Sequence, residues 1–379
     1  MRILVAPDTF AGLFSASEAA EAIVEGWHRH APTDRLDMVA MSDGGLGFVH
    51  ALASNLSGEL LAVSVSVSGP YGVRVPATVL LHEGTAYVEA AQACGLHLTP
   101  ADHREPERAT SFGVGELIGA AVDAGAERIV VGLGGPGEIA SNDGGAGLLN
   151  ALGADAGART GGADEVDLRA GAAGLAALAN GASLDLTWAR RRLGEVQLTA
   201  ASDLDLPLLG LRGTTNLDGG SRGISDERKP AVDGLVVRLA AATDPALAAR
   251  PGTGAAGGIG FALQLLGGSR RPAVELVADV CDLAGRCAEV DLVLTGEAAF
   301  DYSSRQGTVV YGVAQVAAAA LRPCVVLAGR VDVGSREMRA LGVEQAYGVA
   351  GLVGDRVAGD DPAGSLATLA ARVARQWSR

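Results

Sequence analysis

Gly132-Leu-Gly-Gly-Pro-Gly-Glu-Ile-Ala-Ser-Asn-Asp-Gly-Gly-Ala-Gly147 follows the apolar run Arg128-Ile-Val-Val131 and leads into Ala146-Gly-Leu-Leu-Asn-Ala-Leu152. An apolar run of strand length, then glycines, then a helix-forming segment predicts a buried strand, a turn and a helix. That succession is the building unit of an α/β sheet. Glycine lets the backbone adopt φ > 0 and approach a ligand closely. The turn also aims free N–H groups and the helix dipole at an anion. Ser141-Asn-Asp-Gly144 adds hydrogen-bonding groups and one carboxylate, so this stretch reads as a ligand site.

A chain of 379 residues fits one very large domain or two ordinary ones. Its hydrophobic fraction is 48% and its aromatic fraction only 4%, so the core is built from Ala, Val and Leu. The net charge of −14 argues against nucleic acid as partner and against an anionic membrane surface. The run Met1-Arg-Ile-Leu-Val-Ala-Pro7 is too short for a signal h-region and reads as a first strand. No stretch approaches the roughly 18 apolar residues of a spanning helix. Cys94, Cys281, Cys287 and Cys324 lack zinc spacing and read as reduced thiols of a cytoplasmic protein.

Strand Arg2–Ala6 ends at Pro7-Asp8, and Ser15-Ala-Ser-Glu18 forms a capping box opening a helix from Ala16 to His30. Leu36 to Met41 is a second strand, ending at Ser42-Asp-Gly-Gly-Leu-Gly47. From 60 to 91 three strand-length runs separated by Gly69-Pro-Tyr-Gly72 and Glu83-Gly84 predict a β-meander. A helix over 112–124 precedes the opening stretch. Residues 155–185 read as a surface excursion, and Val196–Ala201 as a strand delivering Ser202-Asp203-Leu-Asp205. A helix over 231–242 and the glycine-rich loop Pro251–Gly260 follow. The βαβ rhythm returns with strand Asp291–Glu297, helix 309–320, strand Cys324–Ala328 and a terminal helix from Ser365. The expected architecture is α/β, with one discontinuous parallel-sheet domain (1–70 plus 286–379) and an inserted α/β domain (71–285). An active site in the cleft between them is expected.

Gly132-Leu-Gly-Gly-Pro-Gly137 fits G-x-G-x-x-G, but Pro136 and the small residues after it delay the helix that would receive a pyrophosphate. No G-x-x-x-x-G-K-[ST] occurs. His28, His30, His50, His82, His97 and His103 form no metal or triad pattern. What recurs is an acid at a glycine-rich strand exit: Asp8, Asp43, Asp143, Asp203 with Asp205, and Glu297 with Asp301. Any one of them is equally well a turn-capping residue. Several on converging strand ends favour a catalytic site, because carboxylates accept hydroxyl protons and hold Mg²⁺.

These motifs resemble the bacterial glycerate kinase family, nearly end to end. The resemblance lies in Ala6-Pro-Asp8 with Leu13-Phe-Ser-Ala16, Ser42-Asp-Gly-Gly45 and Arg108-Ala-Thr110 with Phe112-Gly113. It continues in Gly132-Leu-Gly-Gly135 with Ser141–Gly147, Ser202–Asp205 with Pro207–Gly210, Gly254–Gly258, Thr295-Gly-Glu297 with Asp301, and Val326–Gly329. It implies a flavodoxin-like domain made from both chain ends, an inserted Rossmann-like domain, and ATP, Mg²⁺ and D-glycerate as ligands. Asp203 or Asp8 then takes the hydroxyl proton. The expected ligand-binding residues are Asp43, Gly44, Gly45, Gly134, Gly135, Ser141, Asn142, Asp143, Gly144, Thr295, Gly296, Glu297 and Asp301. Asp205 and Asp143 are the candidate metal ligands.

Several positions depart from the family pattern. Ala11 stands where a lysine is usual, Leu46 replaces the glutamate of Asp-Gly-Gly-Glu-Gly, and Thr308 replaces another lysine after Gly307. The Phe-Gly-Pro-Gln-Lys-Gly segment has no counterpart in 213–229, and the opening loop has gained residues at 136–140. Arg212, Arg222, Arg305 and Arg330 are the candidate replacement cations. The leading expectation is an ATP-dependent kinase acting on glycerate or a related small hydroxy acid, with a homodimer left open. A kinase for a different hydroxy acid and an inactive ligand-binding scaffold are the alternatives.

Overall fold

A computed structural model describes residues 1–10, 13–156, 166–179, 181–305, 307–354 and 360–378. Among them the strands in chain order are β1 (Arg2–Val5), β2 (Arg35–Met38), β3 (Leu61–Ser68), β4 (Arg74–His82) and β5 (Thr85–Glu89). β6 (Arg128–Gly132), β7 (Gln197–Ala201), β8 (Ser269–Arg271) and β9 (Leu292–Thr295) follow. The last are β10 (Ala299–Phe300), β11 (Cys324–Ala328), β12 (Arg330–Val331) and β13 (Gln345–Gly348). Packing divides the chain into two compact units. One holds Met1–Asp43, His50–Ser57 and Ala273–Arg379, the other Gly44–Val49 and Gly58–Pro272. The seams therefore fall near 57 and 272, not at 70 and 285, because β3 is paired with β4 and the helix Ala273–Val280 packs with the C-terminal third.

The first unit carries a five-stranded sheet in the order β13-β11-β9-β1-β2, every pairing parallel. Renumbered within the sheet this is 5-4-3-1-2, the flavodoxin-like order, whose switch point lies between β1 and β9. Short apolar strands buried on both faces suit such a sheet. Ile3, Val5, Leu292, Leu294, Val325 and Leu327 pack with Ile23 and Trp27 of helix Ala16–His28 and with Leu366 of helix Pro362–Trp377. Both halves of the capping box form: Glu18 N donates to Ser15 Oγ at 3.2 Å, and Ser15 N to Glu18 Oε2 at 2.7 Å.

The second unit has a six-stranded sheet, β3-β4-β5-β6-β7-β8. The predicted meander supplies its antiparallel edge, and β5 to β8 run parallel. Residues 155–185 differ from the expected surface excursion. Leu168, Leu175, Leu178 and Leu184 are buried in this unit's core, so the segment covers the sheet rather than leaving it; 157–165 and 180 lie outside the described residues. The Pro251–Gly260 loop also differs, winding into helix Ala255–Leu265 through three left-handed residues, Ala256, Gly257 and Gly258. No helix of the described residues is long and apolar enough to cross a membrane.

Candidate active site

The acids singled out in the sequence occupy two sets of strand exits, one in each unit. In the first unit, Asp8 follows β1 and Glu297 follows β9, on either side of the switch point. The Asp8 amide donates to Gly296 O at 2.8 Å, which fixes the two exits against each other. Thr295 is buried and its hydroxyl donates to Ala6 O at 2.7 Å. A Cβ at Gly296 would lie 2.2 Å from Leu327 O, so only glycine lets the β9 exit pass β11.

Glu297 is mostly withdrawn from water, and its Oε1 has no hydrogen-bond partner. Burial pushes its carboxyl up to about 7, and the Asp301 charge adds to the rise while the Ser304 hydroxyl opposes it. Asp301 is held low instead, by bonds from the Ser303 hydroxyl (2.6 Å) and amide (2.8 Å). Two neighbouring acids are thus driven apart, one kept ionised and one poised near neutrality. That is a common acid–base arrangement in active sites. Thr9 N donates to Asp8 Oδ1 at 2.7 Å.

In the second unit, the opening stretch divides into two parts with different jobs. Residues Ser141 to Gly147 are buried. Asp143 accepts from Ser111 N and Oγ (both 2.9 Å), Gly145 N (2.9 Å) and Gly147 N (3.1 Å). Burial raises its carboxyl, against the pull of these four donors. Gly144 N donates to Gly257 O at 3.0 Å. The amides of 144 and 145, expected to meet a ligand anion, are therefore spent inside the fold. The loop is clamped from behind by the second glycine run. A Cβ on Gly257 would lie 1.9 Å from Ser141 O, and one on Gly258 would lie 2.4 Å from Gly144 Cα.

Asn142 and the arginine expected as a replacement cation, Arg222, belong to the same buried network. Asn142 Nδ2 donates to Thr215 Oγ1 (2.9 Å), and its Oδ1 accepts from Arg222 Nη1 (3.4 Å). Arg222 also donates to Ile139 O (3.1 Å) and pairs with Asp218 at 2.5 Å. It is a structural brace. Arg330 pairs with Asp332, and Arg212 and Arg305 are exposed. Thr308 caps helix Val309–Ala319, its hydroxyl accepting from Tyr311 N at 3.4 Å. Ala11 lies outside the described residues.

In the first part of the stretch Gly132, Leu133 and Gly134 are buried, Gly135, Gly137 and Glu138 are half-buried, and Pro136 is exposed. Among the described residues, no protein acceptor is bonded by the amides of Gly134 and Gly135. Glu138, which was not among the expected site residues, lies with its carboxylate between two glycines. A Cβ on Gly45 would lie 2.1 Å from Glu138 Oε2, and one on Gly134 would lie 2.3 Å from it. Leu46 N donates to the same oxygen at 3.1 Å. A second glutamate missed in the sequence, Glu89 at the end of β5, accepts from Gly47 N and Val49 N, both at 3.1 Å. The acid-at-a-strand-exit pattern would have found Glu89.

On the neighbouring exit, Asp203 follows β7, and Leu133 N donates to Ala201 O at 3.0 Å, joining it to the β6 exit. Ser202 Oγ accepts from Leu204 N at 3.2 Å, shaping the Ser202–Asp205 turn. Asp205 is tied to Arg270 at 2.6 Å. The two metal candidates are thus engaged elsewhere, Asp205 by a guanidinium and Asp143 by four donors. No group of three or more His, Cys, Asp or Glu side chains among the described residues is arranged to hold a metal ion.

Known proteins resemble this chain over nearly its whole length. The profile described as "Glycerate kinase family" matches residues 3–378. The chain is 35% identical to the glycerate kinase of Bacillus subtilis, covering 92% of this chain and 90% of that one. It is also 35% identical to the glycerate 2-kinase of Escherichia coli, covering 88% and 87%. A crystal structure of a putative glycerate kinase 2 from Salmonella typhimurium superposes with a TM-score of 0.80 at 33% identity, covering 99% of this chain and 98% of that one. The chain belongs to the glycerate kinase family and is a phosphotransferase of the kinase type.

Proposed function

We propose that the protein transfers the γ-phosphoryl group of ATP to a hydroxyl of glycerate. In that step the hydroxyl oxygen forms a bond to γ-phosphorus and the bond to the β–γ bridging oxygen breaks. ADP leaves, and the hydroxyl proton passes to a carboxylate. Magnesium arrives as part of the nucleotide substrate, where it neutralises phosphate charge. The unengaged amides of Gly134 and Gly135 are suited to an anionic group of a ligand. Gly45 packs against it, its Cα 2.8 Å from where a Cβ on Gly134 would lie, and Ser141, Asn142, Asp143 and Gly144 continue the same stretch into the fold.

The observation that carries the reading is Glu297. A half-buried carboxyl poised near 7, with one buried and unpartnered oxygen, at the switch point of a flavodoxin-like sheet, is suited to accept a proton at neutral pH. Asp8, on the neighbouring exit of the same unit, or Asp203, at the β7 exit of the other unit, is the alternative proton acceptor. Four buried free cysteines suit a reducing cytoplasm. The test is an ADP-release assay with MgATP and D-glycerate, with the product identified by phosphorus NMR. Phosphoglycerate formation is expected. Glycerate binding by calorimetry with no turnover would instead mark an inactive scaffold. Turnover only with another hydroxy acid would reassign the acceptor.

A further inference from the structure

The chain carries 44 acidic against 30 basic residues, so an arginine without a carboxylate partner is unexpected. Arg169 is one: among the described residues its guanidinium makes no ion pair or hydrogen bond. It lies over the Phe112 ring instead, 4.2 Å from the centroid, which holds its plane. Arg108 is nearly as free, with its Nε 3.8 Å from Glu105 Oε2, too far for a hydrogen bond. The fold brings the two arginines together. Gly171, at φ +69°, seats its segment where a Cβ would lie 2.6 Å from the Arg108 carbonyl carbon, and Ala173 N donates to Glu107 O at 2.9 Å. Both guanidinium groups line a cavity of about 390 Å³ together with Ser68, Tyr71, Thr110 and Phe112. That is the size of a small-molecule site. Thr110 Oγ1 accepts from Phe112 N at 3.3 Å and the Tyr71 hydroxyl from Glu105 N at 3.0 Å, and no described residue accepts either hydroxyl proton. Thr110 and Phe112 flank Ser111, whose hydroxyl holds Asp143, so the cavity adjoins the opening stretch.

We infer that this cavity is the carboxylate subsite for the hydroxy-acid acceptor, with Arg108 and Arg169 as its binding residues. This rests on the kinase reading above. Two guanidinium forks and two unspent hydroxyl protons converge on one small space, and a carboxylate is the group that accepts from all of them. The charge of the walls selects against the other anion of the reaction. Glu105 and Asp167 also line the cavity. Asp167 Oδ1 is capped by Arg169 N at 2.9 Å. The two acids cancel the two arginines in formal charge, so a phosphate chain bearing several charges is repelled where a single carboxylate is held. An uncharged analogue of the acceptor would leave both guanidinium groups without a partner.

The experiment measures kcat and KM for D-glycerate and for MgATP in wild type, Arg108→Gln, Arg169→Gln, Arg169→Lys and the double glutamine variant. D-glycerate binding is followed in parallel by calorimetry. Both side chains are exposed, so melting temperatures close to wild type are expected for every variant. The inference predicts a rise of tenfold or more in the glycerate KM for each glutamine variant and a larger rise for the double, with the MgATP KM within about twofold. Arg169→Lys keeps the charge but not the planar fork, and should recover only part of the loss. The methyl ester of D-glycerate, which has no carboxylate charge, should show the same kcat/KM in wild type and in the double variant. An unchanged glycerate KM in the folded double variant would overturn the inference. A rise confined to MgATP would overturn it too, and make the cavity a nucleotide phosphate site. A wild type that binds glycerate without turnover, and loses that binding in the double variant, would uphold the carboxylate site and overturn the kinase reading, so the two failures are distinguishable.

Discussion

Arg222 and Asp218 form an ion pair at 2.5 Å with both side chains almost wholly buried. Arg222, a candidate cation for a ligand phosphate, is committed to the fold instead. Removing one partner leaves the other charge buried and alone, which typically costs about 3–5 kcal/mol. Arg222→Met is expected to lose that much in urea denaturation. Arg222→Met with Asp218→Leu should lose much less. Equal losses in the two proteins would show that the pair is not the source of the effect.

Glu297 ties stability to pH in a predictable direction. Its carboxyl is pushed from an ordinary 4.5 up to about 7. As pH rises through that window the unfolded chain gives up this proton before the native state does, so stability falls and then levels off above 7. The loss is on the order of 3 kcal/mol. Glu297→Gln should remove this slope and be more stable than wild type at pH 8. If Glu297 accepts the proton, the variant should also lose roughly 100-fold or more in kcat, together with the limb of the pH–rate profile near 7. A stability curve unchanged by the substitution would disprove the burial argument, whatever the kinetics show.

Asp143 is expected to be a matter of folding rather than of metal binding. Asn at this position turns an amide NH₂ toward donors such as Ser111 N and Gly147 N, which already point at the carboxylate. The expected cost is roughly 2–4 kcal/mol, read by chemical denaturation. The dependence of rate on magnesium concentration should stay as in wild type. A large shift in that dependence in folded protein would restore Asp143 as a metal ligand.

Two glycines make a paired test of the clamp behind the opening stretch. Gly257→Ala places a methyl 1.9 Å from Ser141 O at a residue with φ +66°, and the loss should exceed roughly 2 kcal/mol. Gly234 lies in helix Lys229–Ala241 with nothing within 4 Å of its added Cβ. Gly234→Ala should raise stability by roughly 0.5–1 kcal/mol, through helix propensity alone. Similar melting temperatures for the two variants would contradict the clamp.

The strands and helices were legible because their signals are local. The capping box at Ser15, the apolar runs of β6, β9 and β11, and the meander all stand in the sequence where the structure has them. What was not legible depends on contacts between distant segments. Nothing near Asp143 shows that Ser111 will meet it, or that Gly257 and Gly258 exist to admit Ser141 and Gly144. The expected roles of the 144–145 amides failed for that reason. Glycine permits close approach but does not say whether a ligand or another loop approaches. Glu297 was visible as a residue, but its proton affinity comes from burial, which no spacing rule reports.

The order of synthesis gives the discontinuous sheet a further consequence. β1 emerges first, yet on its β9 side Ile3 pairs with Leu292, at the far end of the chain. At translation speeds of roughly 5–20 residues per second this strand waits on the order of 15–60 s for that neighbour. Meanwhile Gly44–Val49 and Gly58–Pro272 are complete and free to fold. Ribosome-arrested chains ending near 310 should therefore show protease protection of the middle of the protein before the N-terminal strand. The newborn chain thus exposes an unpaired apolar edge for most of its synthesis, the interval in which a chaperone has work to do.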